Sequence, residues 1–379
     1  MTLQYTLLKL LNLHMNSEFP FIFYYLGLFI STVYLSRFIL KKYIHFAKNY
    51  NLTDSSNSRT ARKGNILTGA GVVFASVVVV AALVLENLDF VKFSNFSPVI
   101  ATSILISILG FYNDLVDISS FNVLIILLFL ILMLLYSNST LPVIQNLNGF
   151  LGLNSLGFIP GLLFTAFIYL FIMNAINFIV GIDEYLVIFS IFFFISLLYI
   201  FDINQFYTLN SVSVIIIGCS TLFLFKNFSN KSKKFFIGDA GSLFIGFWIA
   251  TFLIIYITSA PNSKLVDRYS INIENIPIIA ISLISIPVLD TLRVMLVRLL
   301  NRKSPFSADT SHLHHILLNC GMTHLRTSLF LTFINCFNCV VIFLVEPNFN
   351  SKELTLIYVA ISLAWYVFFE YMNRKNISS

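Results

Sequence analysis

Four short polar clusters interrupt an otherwise apolar sequence, and each contains residue types that could carry chemistry. In Asn113-Asp114-Leu115-Val116-Asp117 two carboxylates stand three positions apart, which places Asp114 and Asp117 on one face of a helix. Asn174 and Asn177 repeat that spacing, and Gly181, Asp183 and Glu184 follow them. Phe236-Ile237-Gly238-Asp239-Ala240-Gly241-Ser242 opens a long apolar run. Asp239 there serves either as a helix cap or as a carboxylate holding a divalent cation. In the second case Gly238 and Gly241 let backbone amides approach a phosphate at the helix N-terminus. Farther along, Arg302 and Lys303 precede His312, His314 and His315. Imidazoles this close suit transition-metal ligation or hydrogen bonding to anionic oxygens. Asn174 and Asn177 are also ordinary interhelical hydrogen-bonding residues. Asp290, three residues before Arg293 inside an apolar run, is expected to form an ion pair along one helix face.

The elements that must position these groups are membrane helices. Of 379 residues, 58% are hydrophobic and 11% charged, with mean hydropathy +0.88. Soluble proteins are about 45–50% apolar and about 25% charged, so this chain cannot cover a water-facing surface. Eleven apolar runs lie near 21–40, 66–86, 97–112, 121–138, 158–176, 185–201, 208–225, 240–257, 276–297, 327–345 and 354–371. They are long enough for helical spans and too evenly apolar for barrel strands. The expected fold is all-α, a polytopic membrane protein with about 10–11 transmembrane helices. Residues 1–379 form one integral membrane domain, with a cytoplasmic His-rich loop at 298–325 between spans nine and ten.

Charge sets the orientation. Sixteen Lys and Arg fall on odd-numbered loops and the C-terminal tail, against five on the opposite side, so the odd loops are expected in the cytoplasm. That bias also accounts for the net charge of +6, and no aromatic-interleaved basic stretch points to nucleic acid. Cys336 and Cys339 lie in an apolar run without a second pair or a His, which argues against zinc. Leu7–Leu11 is too short for a cleavable leader, and Met15 is an alternative start. All four polar clusters belong to odd loops. Hard oxygen ligands, a helix N-terminus and a basic His-rich loop on one face suit phosphoryl transfer, with a soluble donor and a lipid acceptor that slides in between helices.

These blocks, in this order, resemble the polyprenyl-phosphate N-acetylaminosugar-1-phosphate transferases over residues 54–321. Phe236–Ser242 is similar to the family's F-x-G-D-x-G-S block. Ser311–His315, after Ser304-Pro305-Phe306 and Asp309, is similar to the H-I-H-H block of the branch using UDP-N-acetylhexosamines. Ile286-Pro287-Val288-Leu289-Asp290-Thr291 resembles the run before that loop, and Arg59, Lys63 and Gly71 resemble its first cytoplasmic loop.

The resemblance implies transfer of an N-acetylhexosamine-1-phosphate from a UDP-sugar to undecaprenyl phosphate, with release of UMP, at the cytoplasmic face of a bacterial inner membrane. It implies Mg²⁺, or Mn²⁺ in its place, held by Asp239 and Asn177. Asp114, with Asp117 on its face, would act at the lipid phosphate and Asp183 at the nucleotide-sugar. His312, His314 and His315 would contact phosphates, with Asn174, Gly238, Gly241, Ser242 and Arg302 completing the substrate site. A homodimer is compatible with it.

The sequence departs from the family pattern at several positions. Asn113 replaces the first Asp of a pair, and Asn122 and Val123 stand where a basic residue is usual. Val180-Gly181-Ile182-Asp183-Glu184-Tyr185 replaces D-G-x-D-G-L, and Thr310 replaces Arg. A catalytically degenerate relative that binds polyprenyl phosphate or a partner enzyme is the alternative. An ion-coupled transporter, which would place its polar residues near the midplane, is the third.

Overall fold

Every apolar run folds wholly or mainly as helix. The computed structural model describes residues 19–54, 66–116, 118–137, 141–179, 181–203, 206–229, 235–302, 304 and 312–377. The helices are α1 (Phe19–Asn49), α2 (Val72–Asn87), α3 (Ser97–Val116), α4 (Ser120–Ser137), α5 (Phe158–Ile179), α6 (Asp183–Ile203) and α7 (Tyr207–Ser229). They continue with α8 (Gly238–Ser259), the short α9 (Lys264–Tyr269), α10 (Ile276–Ser282), α11 (Ser285–Leu300), α12 (Leu313–Asn319), α13 (His324–Val345) and α14 (Ser351–Ile377).

Among the described residues nine helices are long and apolar enough to cross a membrane, and α10 with α11 makes a tenth, bent by 74°. The protein is therefore an all-α, multi-pass membrane protein. The run at 66–86 is the one that differs from its expected form. Its first residues leave the helix: Ile66–Leu67 pair antiparallel with Thr53–Asp54, and Leu67 also bridges to Phe235. Only 16 residues remain for α2. The stretch 298–325 is likewise more than a loop, since it contains the end of α11 and all of α12.

The centre of the bundle is α8. Its sequence is apolar on every side, as a helix surrounded by protein must be, and its whole hydrophobic window is buried. It packs against α3 and α5. Small residues allow the close approach: a Cβ on Gly110 of α3 would lie 2.5 Å from the Asp239 carbonyl oxygen, and one on Gly246 would lie 2.9 Å from the Met173 Cα of α5. Deeper in, the Tyr169 hydroxyl meets Thr251 Oγ1 at 3.0 Å, so the buried phenol keeps a hydrogen-bond partner.

The bend between α10 and α11 has an identifiable cause. Pro287 lacks an N–H and so cannot bond to the Leu283 carbonyl one turn back. Asn335 of α13 replaces that donor, giving its Nδ2–H to the Leu283 carbonyl at 2.8 Å. Its Oδ1 accepts the displaced Ile286 N–H at 3.0 Å and the Ser285 hydroxyl at 3.3 Å. Asn338 donates to Ser285 Oγ at 3.3 Å and accepts from Trp365 Nε1 of α14 at 2.9 Å. One asparagine side chain thus closes both ends of the break, and a second ties it to the last helix.

Removing Asn335 strands two buried backbone groups, at about 1–3 kcal/mol. Asn335→Leu is expected to lower the melting temperature in detergent, whereas Phe337→Leu on the exposed face of the same helix leaves it near wild type. Equal melting temperatures for Asn335→Leu and wild type would exclude this role.

Candidate active site

The odd-numbered loops meet at one end of the bundle, around the first turn of α8. Loop one arrives as an extended segment alongside residues 235–237. Phe236 N–H donates to the Leu67 carbonyl at 2.7 Å, Ala70 N–H to Phe236 at 3.0 Å, and Gly71 N–H to Ile237 at 2.9 Å. Gly71 then lies directly against the Gly241 backbone, with no room for a Cβ between them.

Loop three supplies the charge. Asp114, near the end of α3, accepts the Asp239 N–H on Oδ1 at 2.8 Å and the Ala240 N–H on Oδ2 at 3.3 Å. Gly238 makes this approach possible. Its φ of +71° suits glycine, and a side chain there would overlap the Asp114 carboxylate. A helix N-terminus favours negative charge through its exposed amides and its dipole, and here the chain's own carboxylate takes that place. The amides expected to cradle a phosphate through Gly238 and Gly241 are therefore occupied by Asp114.

Beside it, Asn113 uses both ends of its amide. Nδ2 donates to Asp239 Oδ2 at 2.6 Å, while Oδ1 accepts the Ile118 N–H at 2.8 Å and closes the turn after α3. Loop five joins through Ser242, whose hydroxyl donates to Asn177 Oδ1 at 2.6 Å and lies 3.4 Å from the Asp239 carbonyl. Asp239 and Asn177 thus flank one buried serine. Their donor set, a carboxylate and an amide oxygen, fits Mg²⁺, which binds one or two protein carboxylates and completes its octahedron with water and phosphate oxygens.

The His block reaches the same end. His312 lies 6.0 Å from the ring of Phe178, next to Asn177, and its ring stacks on His314 at 5.7 Å and 10°. His314 is buried against Gly181, where a Cβ would overlap its Nε2. That Nε2 has no hydrogen-bond partner among the described residues. Asp183 and Glu184 open α6 and are both buried, and Glu184 Oε2 lies 3.9 Å from His324 Nδ1.

The predicted residues thus divide into three groups. Asp114, Asp239, Asn177 and Ser242 form one bonded cluster, with Gly238 and Gly241 as its close-packed backbone, and the histidines adjoin it through Phe178 and Gly181. Asn174 turns back along its own helix, donating to the Leu170 carbonyl at 2.8 Å. Arg302 is exposed at the turn that ends α11. Asp117 lies outside the described residues. Two contributors were not singled out as site residues from sequence: Asn113 as the partner of Asp239, and Asp290, which bonds His312. The expected Asp290–Arg293 pair is present at 3.2 Å.

Burial, reinforced by the neighbouring His315, lowers the His314 pKa to about 3, with Asp290 opposing. The folded ring stays neutral while the unfolded chain takes up a proton below its ordinary value of 6.5. The stabilisation is complete above that value and is lost as pH falls toward 3, by up to about 1.4 kcal/mol per pH unit. The melting temperature in detergent is expected to fall between pH 7 and pH 5, and to fall less in His314→Gln. Identical slopes for the two proteins would remove this assignment.

Comparison with known proteins agrees with the geometry. Residues 96–257 match the sequence model of glycosyl transferase family 4, a segment running from the start of α3 into α8. A probable undecaprenyl-phosphate N-acetylglucosaminyl 1-phosphate transferase of Bacillus subtilis is 30% identical over 159 residues, which is 42% of this chain and 38% of the relative. The undecaprenyl-phosphate alpha-N-acetylglucosaminyl 1-phosphate transferase of Pasteurella multocida is 36% identical over 100 residues, 26% of this chain and 25% of its own. The Haemophilus influenzae protein of the same name is 33% identical over 102 residues, 27% and 26% of the two chains. The matches therefore span well under half of each relative, and the segment matched by the family model contains both Asp114 and Asp239. Through this segment the chain is similar to glycosyl transferase family 4.

Proposed function

We propose that this protein transfers an N-acetylhexosamine-1-phosphate, foremost N-acetylglucosamine-1-phosphate, from a UDP-sugar to undecaprenyl phosphate. The reaction would release UMP at the cytoplasmic face of a bacterial inner membrane and so begin a lipid-linked surface glycan. One observation carries this reading: Asp239, held by Asn113 and bridged through Ser242 to Asn177, stands where α8 emerges at the loop end of the bundle. The names of the relatives give the substrate class.

An oxygen of the lipid phosphate would attack the β-phosphorus of the nucleotide-sugar in line. The bond from that phosphorus to the bridging oxygen breaks, and the oxygen leaves with UMP. A phosphate monoester is already largely ionised near neutral pH (second pKa about 6), so the attack needs no strong base. That suits Asp114, whose two oxygens already accept amide N–H groups and hold the α8 terminus. Asp239 and Asn177 would hold Mg²⁺, which when bound screens charge on both phosphates. The histidines, near the site but behind Phe178 and Gly181, would contact the diphosphate.

With purified protein, Mg²⁺, undecaprenyl phosphate and a panel of UDP-N-acetylhexosamines, UMP release is expected, and Asp239→Ala should reduce it by roughly 100-fold or more. No UMP from any donor, beside a working control enzyme, would favour the non-catalytic lipid-phosphate binder. Asn113→Asp probes the metal separately. It sets a second carboxylate where the amide now donates to Asp239 at 2.6 Å, so like charges repel. The variant is expected to melt below wild type in EDTA and to recover with Mg²⁺. A melting temperature insensitive to Mg²⁺ would count against cation binding here.

A further inference from the structure

Asp290 is buried to 3% exposure within the bent span, and its contacts go beyond the ion pair along its own helix. Oδ1 accepts the Leu313 N–H at 3.0 Å and Arg293 Nη2 at 3.2 Å, while Oδ2 lies 2.9 Å from His312 Nδ1. Arg293 in turn lies 3.7 Å from Glu370 of α14. A line of four ionisable groups, Glu370, Arg293, Asp290 and His312, thus runs from the last helix to the His block.

A carboxylate only accepts hydrogen bonds, and Asp290 already accepts the Leu313 N–H and Arg293 Nη2. The proton in the 2.9 Å contact must then reside on His312 Nδ1. We propose that Asp290 is the positioning residue of the His block: it fixes His312 as the Nδ1–H tautomer and leaves Nε2 as the ring atom presented to a phosphate-bearing ligand.

The surrounding groups support this assignment. Asp290 and Glu370 stand on either side of Arg293, so the edge of Asp290 turned to His312 is negative and suits an N–H donor. From α12, His314 stacks on the ring and, being neutral, adds no competing charge. From α5 the ring meets the apolar Phe178. A monohydrogen phosphate group of the ligand donates its O–H to the Nε2 lone pair, while Nδ1–H stays on Asp290. A carboxylate that orients an imidazole and sets its tautomer is a familiar arrangement in active sites. Here it is assembled from a membrane helix and a loop 22 positions later.

The identity of the ligand rests on the transferase reading, but the tautomer does not. In ¹⁵N-histidine-labelled protein, the His312 signal, assigned by its loss in His312→Gln, is expected to report Nδ1–H in wild type. In Asp290→Asn the amide offers its NH₂ to the ring, so the signal should move to the Nε2–H tautomer. UMP release per UDP-sugar (kcat/KM) should fall about 10- to 100-fold, with little further loss in the double variant with His312→Gln. A wild-type signal from Nε2–H overturns the proposal, as does an unchanged tautomer in Asp290→Asn. If that variant does not fold, the wild-type spectrum alone decides. A protein that releases no UMP from any donor, yet shows His312 as Nδ1–H, would leave this assignment standing and remove only the transferase reading.

Discussion

The first backbone amides of α8 have no partners within their own helix, and the helix is enclosed by protein along its entire hydrophobic length. A buried N–H without an acceptor costs roughly 1–3 kcal/mol, so an acceptor has to be brought to that point. Asp114 is that acceptor, and reaching it constrains several neighbours. The α3 helix must pass close enough for Gly110 to lie against the Asp239 backbone, and Gly238 must adopt a conformation in which a side chain would strike the carboxylate. Loop one must run beside residues 235–237 to bring Gly71 against Gly241. The contacts that seal the central helix also gather the polar loops, so stability and site assembly share one set of atoms.

The second constraint is the broken span. A straight helix over residues 276–300 would point Asp290 elsewhere; the 74° bend is what aims α11 at the His block. Asn335 supplies both the donor that Pro287 lacks and an acceptor for Ile286. Asn338 and Trp365 extend the same network to α14, and Glu370 touches Arg293 from that helix. The last helix is thus linked to the His block along two routes, one through neutral amides at the break and one through charges.

Much of this was legible in the sequence because lipid imposes a simple rule: apolar runs of about 20 residues are helices. All eleven runs correspond to helices or to a bent pair, and members of the four polar clusters (Asp114, Asn177, Asp239 and His312) lie near one another. What the pattern could not express was three-dimensional closure. Pro287 and Asn335 were visible as residues, but their complementarity depends on two helices meeting at one level. Asp290 was read through its nearest sequence neighbour, Arg293, because i,i+3 spacing is visible in a string and a contact with His312 is not. The glycines of Gly238–Ser242 were read as an opening for phosphate, whereas the space beside Gly238 is filled by Asp114.

The departures from the family pattern can be judged by what each residue touches. At Asn113 the amide does what a second carboxylate could not do without a cation. It donates to Asp239 at 2.6 Å while closing the α3 turn through Ile118, so the Asp239 carboxylate has a side-chain donor beside it. At Glu184 a carboxylate replaces a glycine, and it is buried beside His324, linking the start of α6 to the start of α13 just behind the His block. The one glycine retained in that segment, Gly181, is the one whose missing side chain admits His314. At Asn113 and Glu184 a neighbour accommodates the residue present, and at Gly181 the neighbour is an imidazole ring packed to contact.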